Sequence, residues 1–251
     1  MAENVAIIPV RLSSERFPNK HLENFNGKPI IEHVIEYTKK LDFINRVVIA
    51  TEDEKLKKYE NDVDEVFMME KGGARCGSER AYRYYLRNNI FDNYISIPAD
   101  EPLINSDELN KSLPNLIKVL ENESVGTLYC DFYNKEDLRD LKSCKIVCDE
   151  DKVLYFSRSI IPMSKTGELA DLSLYKKHVG VFVFSKRLLK HLGQELWGDW
   201  KSELSDIESL EQNRFLQFGL DVQVEKINHV GFGIDAPDQI KKLEQRLIEN
   251  S

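Results

Sequence analysis

The strongest constraint on how this chain can fold is a series of short apolar runs alternating with helix-like segments through its first half. Val5–Val10 (VAIIPV), Arg46–Ala50 (RVVIA) and Tyr94–Pro98 (YISIP) are each of strand length. Glu65–Met69 is a further candidate strand. Between these runs, Ile30, Ile31, Val34, Ile35 and Thr38 recur with helical spacing. They follow Gly27-Lys28-Pro29, a turn whose proline suits the first turn of a helix. Thr51-Glu52-Asp53-Glu54 reads as a capped helix start, Ser78 to Asn88 as a helix with Ser78 at its N-cap, and Ser106 to Glu121 as another helix. This alternation predicts an α/β domain with a mainly parallel sheet. Ligands of such sheets bind at the carboxyl ends of strands. Here those ends carry the Arg11–Lys20 loop and the Ala99–Pro102 turn.

The second half reads differently. Val125–Phe132, Lys145–Cys148, Val153–Phe156 and His178–Phe184 are strand-like without long helices between them. Leu204–Gly219 reads as a helix, Val222–Ile227 as a strand, and Pro237–Glu249 as a closing amphipathic helix. The length of 251 residues suits one large domain or one domain with an insertion. The antiparallel-looking middle is therefore expected to elaborate the same unit and to supply a second wall for a cleft.

Composition narrows the function classes. Hydrophobic residues make up 41% and charged residues 31%, a balance typical of a soluble globular protein. No apolar stretch approaches the roughly 18–20 residues that span a bilayer. The opening MAENVAIIPV shows no basic n-region or cleavage site, so no signal peptide is expected. The net charge of −8 argues against a nucleic-acid partner and means that an anion must be held by local positive charge. Cys76, Cys130, Cys144 and Cys148 offer one C-x3-C pair with no second pair or histidine beside it. Reduced cysteines in a cytoplasmic protein are expected.

Five segments could carry chemistry. Arg11–Lys20 (RLSSERFPNK) puts three cations and two hydroxyls directly after a buried strand, which suits a polyphosphate; read alone it could equally be a solvated loop. Neither G-x4-G-K-[ST] nor G-x-G-x-x-G occurs. Pro98-Ala-Asp-Glu-Pro102 offers carboxylates at a strand end, fit for Mg²⁺ or for a turn. Asp235 precedes a helix and is an N-cap or a second metal carboxylate. His178 begins a strand from which it could face a pocket. Cys76-Gly-Ser-Glu-Arg80 enters a helix whose first N–H groups suit an anion or a base edge.

Taken in order, IPVRLSSERFPNKHL, GKPIIEHV, ATEDEKL, CGSER, ADEP, KIVCDEDKVLYFSRSIIP, KHVGVFVF, LEQNRFLQFG and IDAPDQI resemble the cytidylyltransferases that activate 3-deoxy-manno-octulosonate (Kdo). The resemblance is collinear from about Ile7 to Gln245. It implies a single nucleotidyltransferase domain over residues 1–251 of the nucleotide-diphospho-sugar transferase, glycosyltransferase-A-like three-layer type. Its central sheet would be mostly parallel, with a smaller antiparallel elaboration. Residues of about 125–200 would form the sugar-side and dimerisation region of a homodimer. CTP, Mg²⁺ and release of pyrophosphate are implied with it. Arg11 and Lys20 match the triphosphate-binding positions, with Ser14 and Arg16 in the same loop. Asp100 and Asp235 match the metal carboxylates. Ser78, Glu79 and Arg80 fall in the nucleotide loop. Arg158, His178, Glu211 and Gln212 match positions around the sugar acid, with Arg158 expected as a bidentate fork on its carboxylate.

The sequence also departs from the family's pattern. Pro98 and Ala99 stand where Gln-Gly is usual, His178-Val-Gly-Val-Phe182 replaces H-x-G-x-Y, and Cys76-Gly-Ser replaces Ser-Gly-Thr. The nucleotide and metal side is thus mostly intact, while the sugar side has lost two polar handles. An altered acceptor, such as an amino-substituted octulosonate or a nonulosonate, is the alternative to Kdo; a non-catalytic relative is a further one.

Overall fold

The computed structural model describes residues 2–14, 17–120, 124–198 and 201–249. Arg16, one of the expected loop cations, lies outside them. The chain gathers into two compact units, Met1–Asn110 with Gly231–Ser251, and Lys111–Val230.

The first unit opens with β1 (Asn4–Pro9), followed by the two-residue strands β2 (Asn24–Phe25) and β3 (Lys28–Pro29) and by α1 (Ile30–Lys39). Then come β4 (Arg46–Thr51), β5 (Glu65–Met68), α2 (Gly77–Arg87) and β6 (Asn93–Ser96). The strands β5, β4, β1 and β6 lie side by side, every neighbouring pair parallel. Ile7 pairs with Val48 on one side and Ser96 on the other. Val5 to Ile8 are wholly buried, which is why β1 is apolar without alternation. The division between units falls within α3 (Ser106–Val119).

The second unit contains β7 (Ser124–Asp131), α4 (Lys135–Arg139), β8 (Lys145–Asp149), β9 (Lys152–Ser157) and β10 (Lys176–Ser185). It continues with α5 (Lys186–Trp197), α6 (Glu203–Glu208), α7 (Asn213–Gln217) and β11 (Asp221–Lys226). Its strands pair in the order β10, β7, β11, β9, β8, all antiparallel except β7 with β11. Lys176 also pairs with Ile146, so β10 meets β8 and the pairing runs round in a ring. Phe182, Phe184, Trp197 and Phe215 meet edge-on or stacked inside this unit. The chain then returns to the first unit as α8 (Pro237–Glu249).

The structure corrects three local expectations. The helix expected over Leu204–Gly219 is broken into α6 and α7, with Ser209 left-handed at φ 51°. A continuous helix would give the carbonyls of Glu208 and Ser209 to the N–H groups four residues on. Instead both accept from the Arg158 guanidinium, at 2.6 and 2.9 Å. Ser78 is not the N-cap of α2: Cys76 takes that place, and Ser78 is buried in the first turn. The start read at Thr51–Glu54 leads into a 3-10 helix, Glu54–Tyr59, and its cap residue Asp53 makes no side-chain bond to it. The Asp53 carboxylate instead accepts from the Leu12 N–H at 2.8 Å. All four cysteines are free, as expected. Among the described residues, no helix is long and apolar enough to cross a membrane.

Candidate active site

In the first unit the Arg11–Lys20 loop is pinned at its base. Leu12 donates to Asp53, and its carbonyl accepts the N–H groups of Ser14 (3.0 Å) and Asn19 (2.9 Å). Phe17 is buried in a cluster with Phe25, Ile30, Ile234 and Leu243. Asn19 is left-handed at φ 57° and leads into a 3-10 turn that starts at Lys20. This turn sends the Lys20 side chain inward, where it is only 9% exposed. Arg11 stays exposed and Ser14 half-buried.

The same apolar cluster carries the C-terminal segment to this loop, since Ile234 and Leu243 belong to it. Ile234 N–H also donates to the Asp100 carbonyl at 2.9 Å, fastening residues 231–235 to the turn after β6. Asp235 N–H is taken by Gln239 Oε1 from the first turns of α8 (2.7 Å). Residues 20, 100 and 235 thereby meet. Lys20 Nζ lies 2.5 Å from Asp100 Oδ2 and 2.9 Å from Asp235 Oδ1. Burial alone would lower the Lys20 pKa; the two carboxylates outweigh it and hold the pKa above the ordinary lysine value.

Beside this triad sits His21, which sequence reasoning passed over as the neighbour of Lys20. It is buried, and its Nδ1 has no hydrogen-bond partner among the described residues. Burial lowers its pKa to about 4, so the ring is neutral near pH 7. Arg80 is buried too. Its Nη2 donates to Glu52 (2.7 Å) and its Nη1 to the Cys76 carbonyl (3.3 Å), while Nε finds no partner among the described residues. Glu79 is buried in α2, and burial would raise its pKa. Bonds from Arg75 N–H, Arg75 Nε and Arg83 outweigh this and lower it.

Asp100 and Asp235 fit a Mg²⁺ ion. Two carboxylates already converge on one cation, and Mg²⁺ takes few protein carboxylates and completes its shell with phosphate and water. Among the described residues, no group of three or more His, Cys, Asp or Glu gathers as a metal cage.

The expected sugar-acid residues lie in the second unit. His178, at the start of β10, donates its backbone N–H to the Cys144 carbonyl (2.9 Å). Its Nε2 lies 2.8 Å from Thr127 Oγ1, and its ring sits edge-on to Phe156 and tilted against Phe182. Buried Gln212 donates to the Cys144 sulfur at 3.4 Å, and burial pushes that thiol up to about 12. Glu211 is half-buried beside it. Arg158 spends three N–H groups on backbone carbonyls: Glu208 (2.6 Å), Leu141 (3.0 Å) and Ser209 (2.9 Å). Its own N–H and the Ser157 hydroxyl donate to the Glu208 carboxylate. Its carbonyl accepts from Lys145, whose fully buried ammonium also bonds the carbonyls of Asp140 and Ser143. Arg158 therefore ties together the segments around residues 141 and 208–209. Phe182, at the position where the phenol is absent, is buried in the aromatic cluster.

Comparisons with known proteins bear on the family. Residues 5–227 match the family model described as cytidylyltransferase. The 8-amino-3,8-dideoxy-manno-octulosonate cytidylyltransferase of Shewanella oneidensis is 32% identical over 96% of this chain and 97% of its own. The 3-deoxy-manno-octulosonate cytidylyltransferase of Thermodesulfovibrio yellowstonii is likewise 32% identical, over 97% of each. Among solved structures, CMP:2-keto-3-deoxy-manno-octonic acid synthetase complexed with CTP superposes with a TM-score of 0.83 at 26% identity, covering 100% of both chains. The inositol-1-phosphate CTP transferase of T. maritima superposes at 0.64 with 15% identity over 98% of each chain, a likeness of fold alone. The chain belongs to the cytidylyltransferase family.

Proposed function

We propose that this enzyme couples CTP to a 3-deoxy-2-ulosonic acid, Kdo or a close analogue, giving the CMP-sugar and pyrophosphate. The observation that carries the reading is the meeting of Lys20, Asp100 and Asp235 at 2.5 and 2.9 Å. The oxygen of the anomeric C2 hydroxyl attacks the α-phosphorus and forms a new P–O bond. The bond from the α-phosphorus to the bridging oxygen breaks, its electron pair leaves with pyrophosphate, and the hydroxyl proton passes to solvent.

Lys20 and Arg11 stabilise the charge that grows on the leaving pyrophosphate. The Lys20 ammonium is a point charge on a flexible stem, suited to passing from the carboxylates to a phosphate oxygen. Ser14 and Arg16 belong to the same loop, and Ser78 and Arg80 to the nucleotide side. Mg²⁺ held by Asp100 and Asp235 would supply positive charge beside the α-phosphate and favour ionisation of the attacking hydroxyl. His178, Glu211 and Gln212 orient the sugar acid. Arg158 retains two N–H groups beyond the three bound to carbonyls, and a fork on the sugar carboxylate would use those two. The reading goes with a glycosyltransferase-A-like three-layer arrangement and a homodimer in which residues of about 125–200 take part. It also goes with a cytoplasmic setting and a product destined for lipopolysaccharide or capsule.

An amino-substituted octulosonate is the second reading, favoured by Phe182 and Pro98 and by relatives of both names at 32% identity. Pyrophosphate release measured with CTP, Mg²⁺ and a panel of Kdo, its 8-amino analogue and a nonulosonate separates the two. Turnover of Kdo at or above every analogue rejects the second reading, and no release with any sugar acid rejects the first. Unchanged nucleotide-dependent function in Asp100→Asn would favour a non-catalytic relative.

A further inference from the structure

We propose that Thr127 is a positioning residue for the sugar acid, acting through His178 by fixing which ring nitrogen carries the proton. The inference rests on the reading above that His178 meets the sugar acid. Thr127 lies on β7 and is wholly buried. The register between β10 and β7 slips between Val179 and Phe182, so Gly180 and Val181 bulge from the ladder. Thr127 Oγ1 faces that bulge, 2.7 Å from the Val181 carbonyl and 2.8 Å from His178 Nε2.

A threonine hydroxyl has one hydrogen, and a carbonyl can only accept. The hydrogen therefore goes to Val181, and Oγ1 must accept from His178, which puts the proton on Nε2. A neutral imidazole protonated at Nε2 carries its lone pair on Nδ1. At Nδ1 the ring is an acceptor, matched to a donor such as a sugar hydroxyl or ammonium. The backbone bond from His178 to Cys144 and the rings of Phe156 and Phe182 hold the imidazole plane, so Thr127 decides its polarity rather than its place.

The test combines side-chain nitrogen NMR of His178 with steady-state kinetics on the full chain. In the wild type at neutral pH, Nε2 should carry the proton and Nδ1 should not; a proton on Nδ1 overturns the proposal whatever the variants do. Thr127→Val keeps the shape and removes the hydroxyl. It should mix the tautomers and raise the KM for the sugar acid roughly threefold to tenfold, the worth of one hydrogen bond, with the KM for CTP unchanged. Thr127→Ser should restore both readouts. An unchanged tautomer in Thr127→Val, or an equal rise in both KM values, overturns the proposal. His178→Ala separates this from the underlying reading: if it leaves the sugar-acid KM unchanged, His178 does not meet the sugar acid. If instead His178→Ala raises that KM and Thr127→Val adds nothing further to it, the two residues act as one unit, as proposed.

Discussion

The two units hold their candidate residues by opposite means. In the first, three charged side chains far apart in sequence bind one another: Lys20 with Asp100 and Asp235. In the second, neutral groups supply several of the contacts, beside the Glu208 carboxylate that takes the Arg158 backbone N–H. Thr127 holds His178, Cys144 holds Gln212, and backbone carbonyls hold Arg158 and Lys145. A cluster of charges can exchange partners when a charged ligand arrives, because a phosphate or a metal replaces what it displaces. Neutral contacts packed among aromatic rings cannot exchange in this way, and they recognise shape and hydrogen-bond polarity instead. The first arrangement suits a triphosphate, which is all charge; the second suits a sugar acid told apart by its hydroxyls.

The sharpest way to break this comparison is Asp100→Asn. It removes one of the two charges that hold Lys20, and turnover measured by pyrophosphate release should fall about 10²–10³-fold with the fold intact. A loss below tenfold would mean that the triad is only structural. Lys145→Met probes the other side. Three carbonyls would lose their donor, and denaturant unfolding should show a loss of about 3 kcal/mol. A neutral outcome would show that the second unit does not depend on its buried cation. Gly126→Ala should cost about 1–3 kcal/mol, since a Cβ there would lie 2.9 Å from Leu116 Cδ2 and 3.2 Å from Val183 Cβ. A stable variant would mean that the second unit is less tightly packed than its aromatic core implies.

The remaining prediction concerns His21 and appears only as pH falls. Its folded pKa of about 4 lies below the ordinary value of 6.5, so the unfolded chain binds the proton first as pH falls. Above pH 6.5 both states are neutral and the residue has no effect. Between 6.5 and about 4 it removes stability, by at most about 1.4 kcal/mol per pH unit. His21→Gln should flatten that part of the stability profile in the absence of nucleotide and metal. An unaltered slope would show that the ring is protonated in place.

The sequence showed the parallel strands of the first unit plainly, because a strand buried on both faces must be apolar throughout, as Val5 to Ile8 are. The cations of the Arg11–Lys20 loop and the carboxylates Asp100 and Asp235 were also legible, since their residue types announce their chemistry. What stayed hidden were partners that are neutral or distant. Asp53 lay inside a stretch that read only as a helix start, and it anchors Leu12. Thr127 looked like an ordinary strand residue and Cys144 like an ordinary reduced cysteine. The helix expected over Leu204–Gly219 had adequate local periodicity, but Arg158, about fifty residues earlier, captured two of its carbonyls.

The amino-acid sequence by itself determined the alternating strands and helices, the local positive charge in an acidic chain and the residue types of the candidate site. These follow from local periodicity and side-chain chemistry, which need no knowledge of what lies across the fold. Only the tertiary structure decided that residues 20, 100 and 235 meet around one ammonium, that Arg158 is largely occupied by backbone carbonyls, and that the Thr127 hydroxyl lies 2.8 Å from the His178 ring. Each of these depends on a contact between segments widely separated along the chain. A hydrogen bond acts over about 3 Å, whatever the separation in sequence.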